Sequence, residues 1–146
     1  MIVSFFGHSN YFEKNDDKEK LLNYLIKIIH SKDVEFYLGG YGSFDCFAKS
    51  CCLKYKEMYK NSKIVYVSPY LNCEKLNDYA LFKYDESIHP PIENTPYKYA
   101  ILKRNEWIVD NSDVVICYVK VGFGGAYKSY VRAKRKNKIV LNLCEV

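Results

Sequence analysis

Apolar and polar positions fall along this chain in alternating blocks. Short apolar runs at Ile2–Phe6, Val34–Leu38, Ile64–Ser68, Asp113–Val119 and Ile139–Leu143 predict strands. The segments between them follow a helical period. Leu21, Leu22, Leu25, Ile26, Ile28 and Ile29 share one broad face, with Asp16 as the expected cap and Glu19 as its reciprocal partner. His30 falls at the end of that helix, where the dipole welcomes a cation, so it receives no catalytic role. Phe44, Phe47, Ala48, Cys51, Cys52, Tyr55, Met58 and Tyr59 make a second stripe, read as core. Thr95-Pro96 pairs a hydroxyl cap with a first-turn proline and opens a third helix, which Asn111-Ser112 breaks. A last helix starts at Gly125-Ala126 and ends near Asn137.

Helices that alternate with short apolar strands predict an α/β protein with helices on both faces of its sheet. Right-handed crossovers make this a three-layer Rossmann-like sandwich with a mostly parallel five-stranded sheet, in the assumed order 3-2-1-4-5. The 146 residues form one expected domain. Residues 69–96 stand apart. They hold all four prolines and show no clear period, and they supply Asp78, Tyr79, Tyr84, Asp85, Glu86, His89 and Glu93. This is expected to be a lid-like excursion, with plain packing over a sheet edge as the alternative.

All seven glycines fall in three loops, each directly after an apolar run: Gly7-His8, Gly39-Gly40-Tyr41-Gly42-Ser43-Phe44-Asp45 and Gly122-Phe123-Gly124-Gly125-Ala126. Glycine serves where the backbone turns with positive φ or another group comes close. In the assumed order these loops line one crevice at the carboxyl edge of the sheet, where helix starts aim free N–H groups at an anion. The second loop lacks the Gly-Lys-Ser/Thr of a P-loop and the spacing of a dinucleotide fingerprint. Its glycine N–H groups would cradle phosphate, with Ser43 capping the helix and touching ligand. Asp45 would hold a ribose hydroxyl or act as a base, against a purely dipolar role at a helix start. His8 would face the ligand, against a bond to loop backbone. Arg104, beside Asn105, offers a fork for phosphate, with a structural salt bridge to Asp110 or Asp113 as the rival. On this reading Gly40→Val abolishes binding while the fold survives.

Composition narrows the picture further. Six cysteines with no C-x-x-C pair and no zinc spacing read as small buried hydrophobes of a reducing compartment, so no metal and no cofactor is expected. No apolar run approaches the roughly 20 residues of a membrane span, and Met1 leads straight into a strand. The expected setting is cytoplasmic, with no membrane partner. The net charge of +5 owes much to Lys128, Arg132, Lys134, Arg135, Lys136 and Lys138, either a solvated helix face or part of a nucleic-acid groove. Fifteen tyrosines supply rings for core edges or for stacking. Trp107 and Tyr99 are candidates for a homo-oligomer face, with core packing the alternative.

Gly7-His8, Gly39-Gly40-x-Gly-x-x-Asp45, Lys103-Arg104-Asn105 through Val109-Asp110-x-Ser112-Asp113, and Gly124-Gly125-Ala126 together resemble the SLOG superfamily. More narrowly, the chain looks like the small bacterial proteins related to YpsA and DUF1273. The resemblance covers nearly the whole chain, least well at 69–96. It implies a Rossmann-like fold that binds nucleotides or nucleotide-derived small molecules at Gly7, His8, Gly39, Gly40, Gly42, Ser43, Asp45, Arg104, Asn105, Gly124, Gly125 and Ala126. The relatives include phosphoribohydrolases of the LOG type and DprA, which binds single-stranded DNA. The phosphoribohydrolase signature P-G-G-x-G-T-x-x-E is not kept: Ala126-Tyr127-Lys128-Ser129-Tyr130-Val131 follows Gly124-Gly125. Hydrolysis or transfer at an N-glycosidic bond is therefore an alternative, with Asp45, or Asp85 and Glu86, in place of the missing glutamate. Single-stranded nucleic-acid binding is a further alternative.

Overall fold

The computed structural model describes residues 1–30, 33–71 and 83–145. The chain runs β1 (Ile2–Gly7), α1 (Asp17–Ile28), β2 (Val34–Leu38), α2 (Ser43–Met58), β3 (Ser62–Val67), β4 (Glu86–Ile88), α3 (Ala100–Asn111), β5 (Val114–Tyr118), α4 (Gly125–Arg135) and β6 (Ile139–Asn142). Short 3-10 turns at Tyr97–Tyr99 and Leu143–Glu145 precede α3 and follow β6. The strands form one sheet in the order β4-β3-β2-β1-β5-β6. Every strand pair in it is parallel.

The strand sequences explain why the sheet is covered twice. Alternate residues of a strand point to opposite faces, and here both sets are apolar. Val3, Phe5, Phe36, Leu38, Ile64, Val114 and Ile116 pack with Leu21 and Leu25 of α1 and with Phe44, Phe47, Ala48, Cys51 and Cys52 of α2. Phe6, Tyr37, Val65, Val67, Val115 and Cys117 pack on the other face with Ile108 and Val109 of α3 and Ala133 of α4. Fully burying side chains of this size contributes about 1.5–3 kcal/mol each. A polar contact also crosses the second layer: the Ser112 hydroxyl, at the end of α3, donates to the Ile108 carbonyl at 2.6 Å and lies 2.8 Å from the Ser4 hydroxyl.

The sheet has six strands, not the expected five. The strand absent from the sequence reading is β4, at the edge, inside the 69–96 excursion. Glu86 and Ser87 are exposed, so no apolar signal marks it. Backbone pairing and one carboxylate create it instead. The Asp85 N–H donates to the Ile64 carbonyl at 2.8 Å, and Asp85 Oδ2 accepts from the Ile64 N–H at 2.7 Å. Lys56 of α2 closes on the same carboxylate. Of the polar groups assigned to the excursion, Asp78 and Tyr79 lie outside the described residues.

Local signals need correction in several places. Asp16 makes no side-chain cap; it forms an i,i+4 ion pair with Lys20 at 3.3 Å. Asp17 does the anchoring, accepting from the Lys14 N–H at 2.9 Å and from the Tyr11 hydroxyl. Thr95 does not cap α3, which is entered through the 3-10 turn after Pro96. Ile26, Met58 and Tyr59, placed on the apolar stripes, are exposed, because the first two turn past the core and Tyr59 follows the end of α2. Cys51, Cys52 and Cys117 are buried as expected, but Cys46 is exposed and Cys144 half-buried. Cys73 lies outside the described residues. Trp107 stacks on Tyr37 at 5.9 Å and 7° against the second core, whereas Tyr99 is exposed. No described helix is long and apolar enough to cross a membrane.

Candidate functional site

β1 lies between β2 and β5, so chain connections diverge on either side of it and a crevice opens above its carboxyl end. Three loops meet there and are bonded to one another. The His8 N–H donates to the Tyr118 carbonyl at 3.3 Å, and the Lys120 N–H donates to His8 Nε2 at 2.9 Å. A backbone N–H can only donate, so Nε2 is the acceptor. His8 thus joins the loop after β1 to the loop after β5. The Ser43 N–H and hydroxyl both donate to the Ser9 carbonyl, at 3.1 and 2.8 Å. They join the same loop to the start of α2. The Ser43 side chain is therefore not the expected helix cap.

The glycines divide into two groups. A Cβ at Gly7 would lie 2.2 Å from the Phe44 ring, and one at Gly42, where φ is +88, would lie 2.8 Å from the Ser9 backbone. A Cβ at Gly39 would press on the Arg104 guanidinium at 3.0 Å, and one at Gly40, where φ is +71, would meet the Tyr66 ring at 2.6 Å. These four positions stay bare so that the protein's own side chains and backbone can close on them. Gly40→Val therefore strains the fold and cannot serve to separate binding from folding. Gly122, Gly124 and Gly125 are different: a Cβ at any of them meets nothing within 4 Å. Gly124 takes φ +94 and Gly125 opens α4 with no side-chain cap. The open stretch of the crevice is thus the N-terminus of α4, at Gly124-Gly125-Ala126.

Arg104 is a buried charged residue at this edge of the sheet. It is 4% exposed. Its Nε donates to Asn105 Oδ1 at 2.8 Å, and its Nη1 donates to the Val67 and Gly39 carbonyls at 2.8 and 3.2 Å. The guanidinium from α3 thereby spans the tips of β3 and β2. Neither expected structural partner is near. Asp110 holds Arg132 in a two-pronged pair, both arms 2.8 Å, and Asp113 accepts from the Ile2 N–H. Among the described residues Arg104 has no carboxylate within 4 Å. Burial pulls its pKa down, while Tyr66, Asp45, Tyr70 and Tyr84 around it support the charge.

Asp45 sits one turn into α2. It reaches back to the glycine loop and accepts from the Tyr41 N–H at 3.0 Å, with Gly40 as a second backbone donor. Burial pushes its carboxyl up to about 6, against the pull of the Tyr41 N–H, the Arg104 charge and the Gly40 N–H. Desolvation outweighs three favourable partners, leaving a carboxyl that titrates close to neutrality. Tyr84 is raised as well, by burial first and then by Asp45. Asp85 and Glu86 do not join Asp45. They lie on the flank of β3 beside Ile64 and Val65, paired with Lys56 and Lys63.

The rim is aromatic. Phe12, Tyr41, Tyr97 and Phe123, on separate connections, are 84%, 79%, 70% and 73% exposed. Tyr70 stacks on Tyr97 at 4.8 Å and 14°. Tyr66 and Tyr84 lie beside Gly40, their rings 5.5 Å apart, and Lys49 lies 4.0 Å over Tyr84. The sequence reading missed Tyr66. Its one signal is position: the penultimate residue of a strand that ends at the crevice. The basic tail of α4 is partly neutralised, because Arg132 and Lys136 both pair with Asp110.

No protein-family profile matches the chain, and no curated protein matches it in sequence. Solved structures do share its fold. The structural-genomics protein TM1055 matches with a TM-score of 0.59 at 16% identity, over 95% of this chain and 71% of its own. DNA processing protein A from Streptococcus pneumoniae matches with a TM-score of 0.63 at 17% identity, over 94% of this chain and 48% of its own. Its counterpart from Helicobacter pylori, described for its single-stranded DNA binding mode, gives 0.62 at 18% identity, over 96% and 63%. The chain thus spans about half to two thirds of the length of the two DNA processing proteins. At these identities the likeness establishes a shared Rossmann-like fold.

Proposed function

We propose that this fold belongs to the SLOG superfamily, on the YpsA/DUF1273 side, and that the crevice binds a nucleotide or nucleotide-derived ligand. One observation carries the reading: three loops bonded together at the carboxyl end of β1, one of which opens α4 with a start that has no side-chain cap and that glycine leaves open. Arg104, buried over the tips of β2 and β3, is held by Asn105 and two backbone carbonyls and has no carboxylate within 4 Å among the described residues, so its charge favours an anion at this edge. A phosphate on the Gly125 and Ala126 N–H groups would meet the helix dipole, with Arg104 assisting from the tips of β2 and β3. Asp45 would accept a sugar hydroxyl, and the rim rings would stack on a base. Asn105 holds Arg104 in place, and His8, Gly7 and Gly42 hold the loops together.

The test is a thermal-shift screen of mononucleotides, dinucleotides, cyclic nucleotides and nucleotide sugars, each beside its phosphate-free nucleoside. Ligand at about 100 times its Kd adds about 2.7 kcal/mol, about 8 °C for a domain of this size. A shift confined to phosphate-bearing compounds is expected. No shift with any of them would return the glycine loops to ordinary turns.

The rim supports a second reading, single-stranded nucleic acid. Exposed rings on four separate connections offer more stacking surface than one base needs. An oligonucleotide that binds far more tightly than its mononucleotide, with steep loss of affinity in salt, would select this reading.

A further inference from the structure

α3 and α4 lie side by side on one face of the sheet, and the seam between them is open. Packed helices normally fill such a seam with interlocking apolar side chains. Here it holds a groove of about 340 Å³, at the lower end of the roughly 300–1,000 Å³ of small-molecule sites. Leu102 and Asn105 line it from α3; Lys128, Val131 and Arg135 line it from α4. The three α4 positions are three and seven residues from the first, so they share one helix face, with the two cations about 10 Å apart along the axis. Val131 is exposed in the seam where a core residue would be expected.

The charges in the groove do not cancel. Of its other ionic residues, Arg132 is held by Asp110, and Glu106 is answered by Lys103 at 3.4 Å. Lys128 and Arg135 have no carboxylate within 4 Å among the described residues. The groove thus combines apolar walls with surplus positive charge at its two ends. We propose that it is a second ligand site, for a small amphipathic anion: an aromatic or branched apolar body carrying one carboxylate. The body lies between Leu102 and Val131, and the carboxylate meets Lys128 or Arg135. The site is independent of the nucleotide reading, although Asn105 lines this groove and also holds Arg104.

Isothermal titration of the full chain with 4-phenylbutyrate, and with the uncharged 4-phenylbutan-1-ol, tests it. The acid is expected to bind at least about tenfold more tightly than the alcohol, the difference a charge-assisted contact makes. The double variant Lys128→Glu, Arg135→Glu is expected to lose about tenfold for the acid alone. Val131→Trp should fill the groove and abolish binding of both, with its urea midpoint confirming that it is folded. Asp45→Asn, which alters the crevice, should leave the acid's affinity unchanged, so failure of the nucleotide reading leaves this one standing. Equal binding of acid and alcohol, or full affinity in the charge-reversed variant, overturns the proposal. So does a doubled mass in light scattering that Val131→Trp abolishes while the acid fails to bind, since the face would then belong to a second copy of the chain.

Discussion

Replacing Asp45 by asparagine should stabilise this protein, and by an amount that depends on pH. The Asp45 carboxyl is held near pH 6 in the folded state, chiefly because burial disfavours its charge, against an ordinary value of 3.8. Below about pH 3.8 the group is protonated folded and unfolded alike, and it contributes no difference. Between 3.8 and 6 the folded protein keeps a proton that the unfolded chain has released, so this group's contribution falls as pH rises. Above 6 the loss is complete. That interval, at about 1.36 kcal/mol per pH unit, amounts to about 3 kcal/mol. Asparagine keeps an oxygen for the Tyr41 N–H and carries no charge to desolvate. The variant should match the wild type near pH 3.5, gain steadily to pH 6 and hold a plateau of up to about 3 kcal/mol at pH 7, about 9 °C in Tm. Urea denaturation of both proteins across this range measures it, with Trp107 fluorescence as the probe. A stability difference that is flat with pH, or a variant less stable at pH 7, would show that the carboxyl is not desolvated as described.

Other expectations follow from the glycines and the ion pairs. Gly125→Val places a side chain in open space, so the urea midpoint should hold while the thermal shift by any phosphate-bearing ligand disappears; a retained shift would remove the α4 N-terminus from the site. Gly7→Ala drives a methyl into the Phe44 ring and should cost about 3 kcal/mol or more. With Phe44→Leu as the second change, a double-mutant cycle should recover part of that loss, and strict additivity would refute the contact. Asp110→Asn frees Arg132 and Lys136 at the surface and should cost about 0.5–1 kcal/mol in dilute buffer, vanishing near 1 M salt, where the screening length is about 3 Å. Asp85→Asn leaves Lys56 without its partner, and faster hydrogen exchange is expected at the β3–β4 backbone amides, with the β1–β5 amides unchanged.

The layered fold was legible because its signal is local. Apolar runs and helical stripes mark nearly every element, and right-handed crossovers order them. β4 escaped because Glu86 and Ser87 carry no apolar pattern, and its pairing depends on Asp85, which lies twenty-one residues beyond Ile64. The glycines show the limit most clearly. Sequence reveals where the backbone must stay bare, but not for whom: Gly7 yields to Phe44 and Gly39 to Arg104, while Gly125 yields to nothing within the described residues. Arg104 was visible as a candidate. Asn105, its neighbour, was visible too, but its other partners, the carbonyls of Gly39 and Val67, lie sixty-five and thirty-seven residues away and carry no side-chain signature.

β4 has a consequence for how this chain behaves when it is damaged. Its three residues stand between solvent and Ile64-Val65-Tyr66-Val67, a run with strong β propensity, no charge and no proline. An open edge of that composition is a template for intermolecular pairing. A short polar strand laid over it acts as a gatekeeper, denying the template to other copies. Proteolytic nicking or deletion near 83–90 should therefore show first as aggregation, with the crevice chemistry still intact.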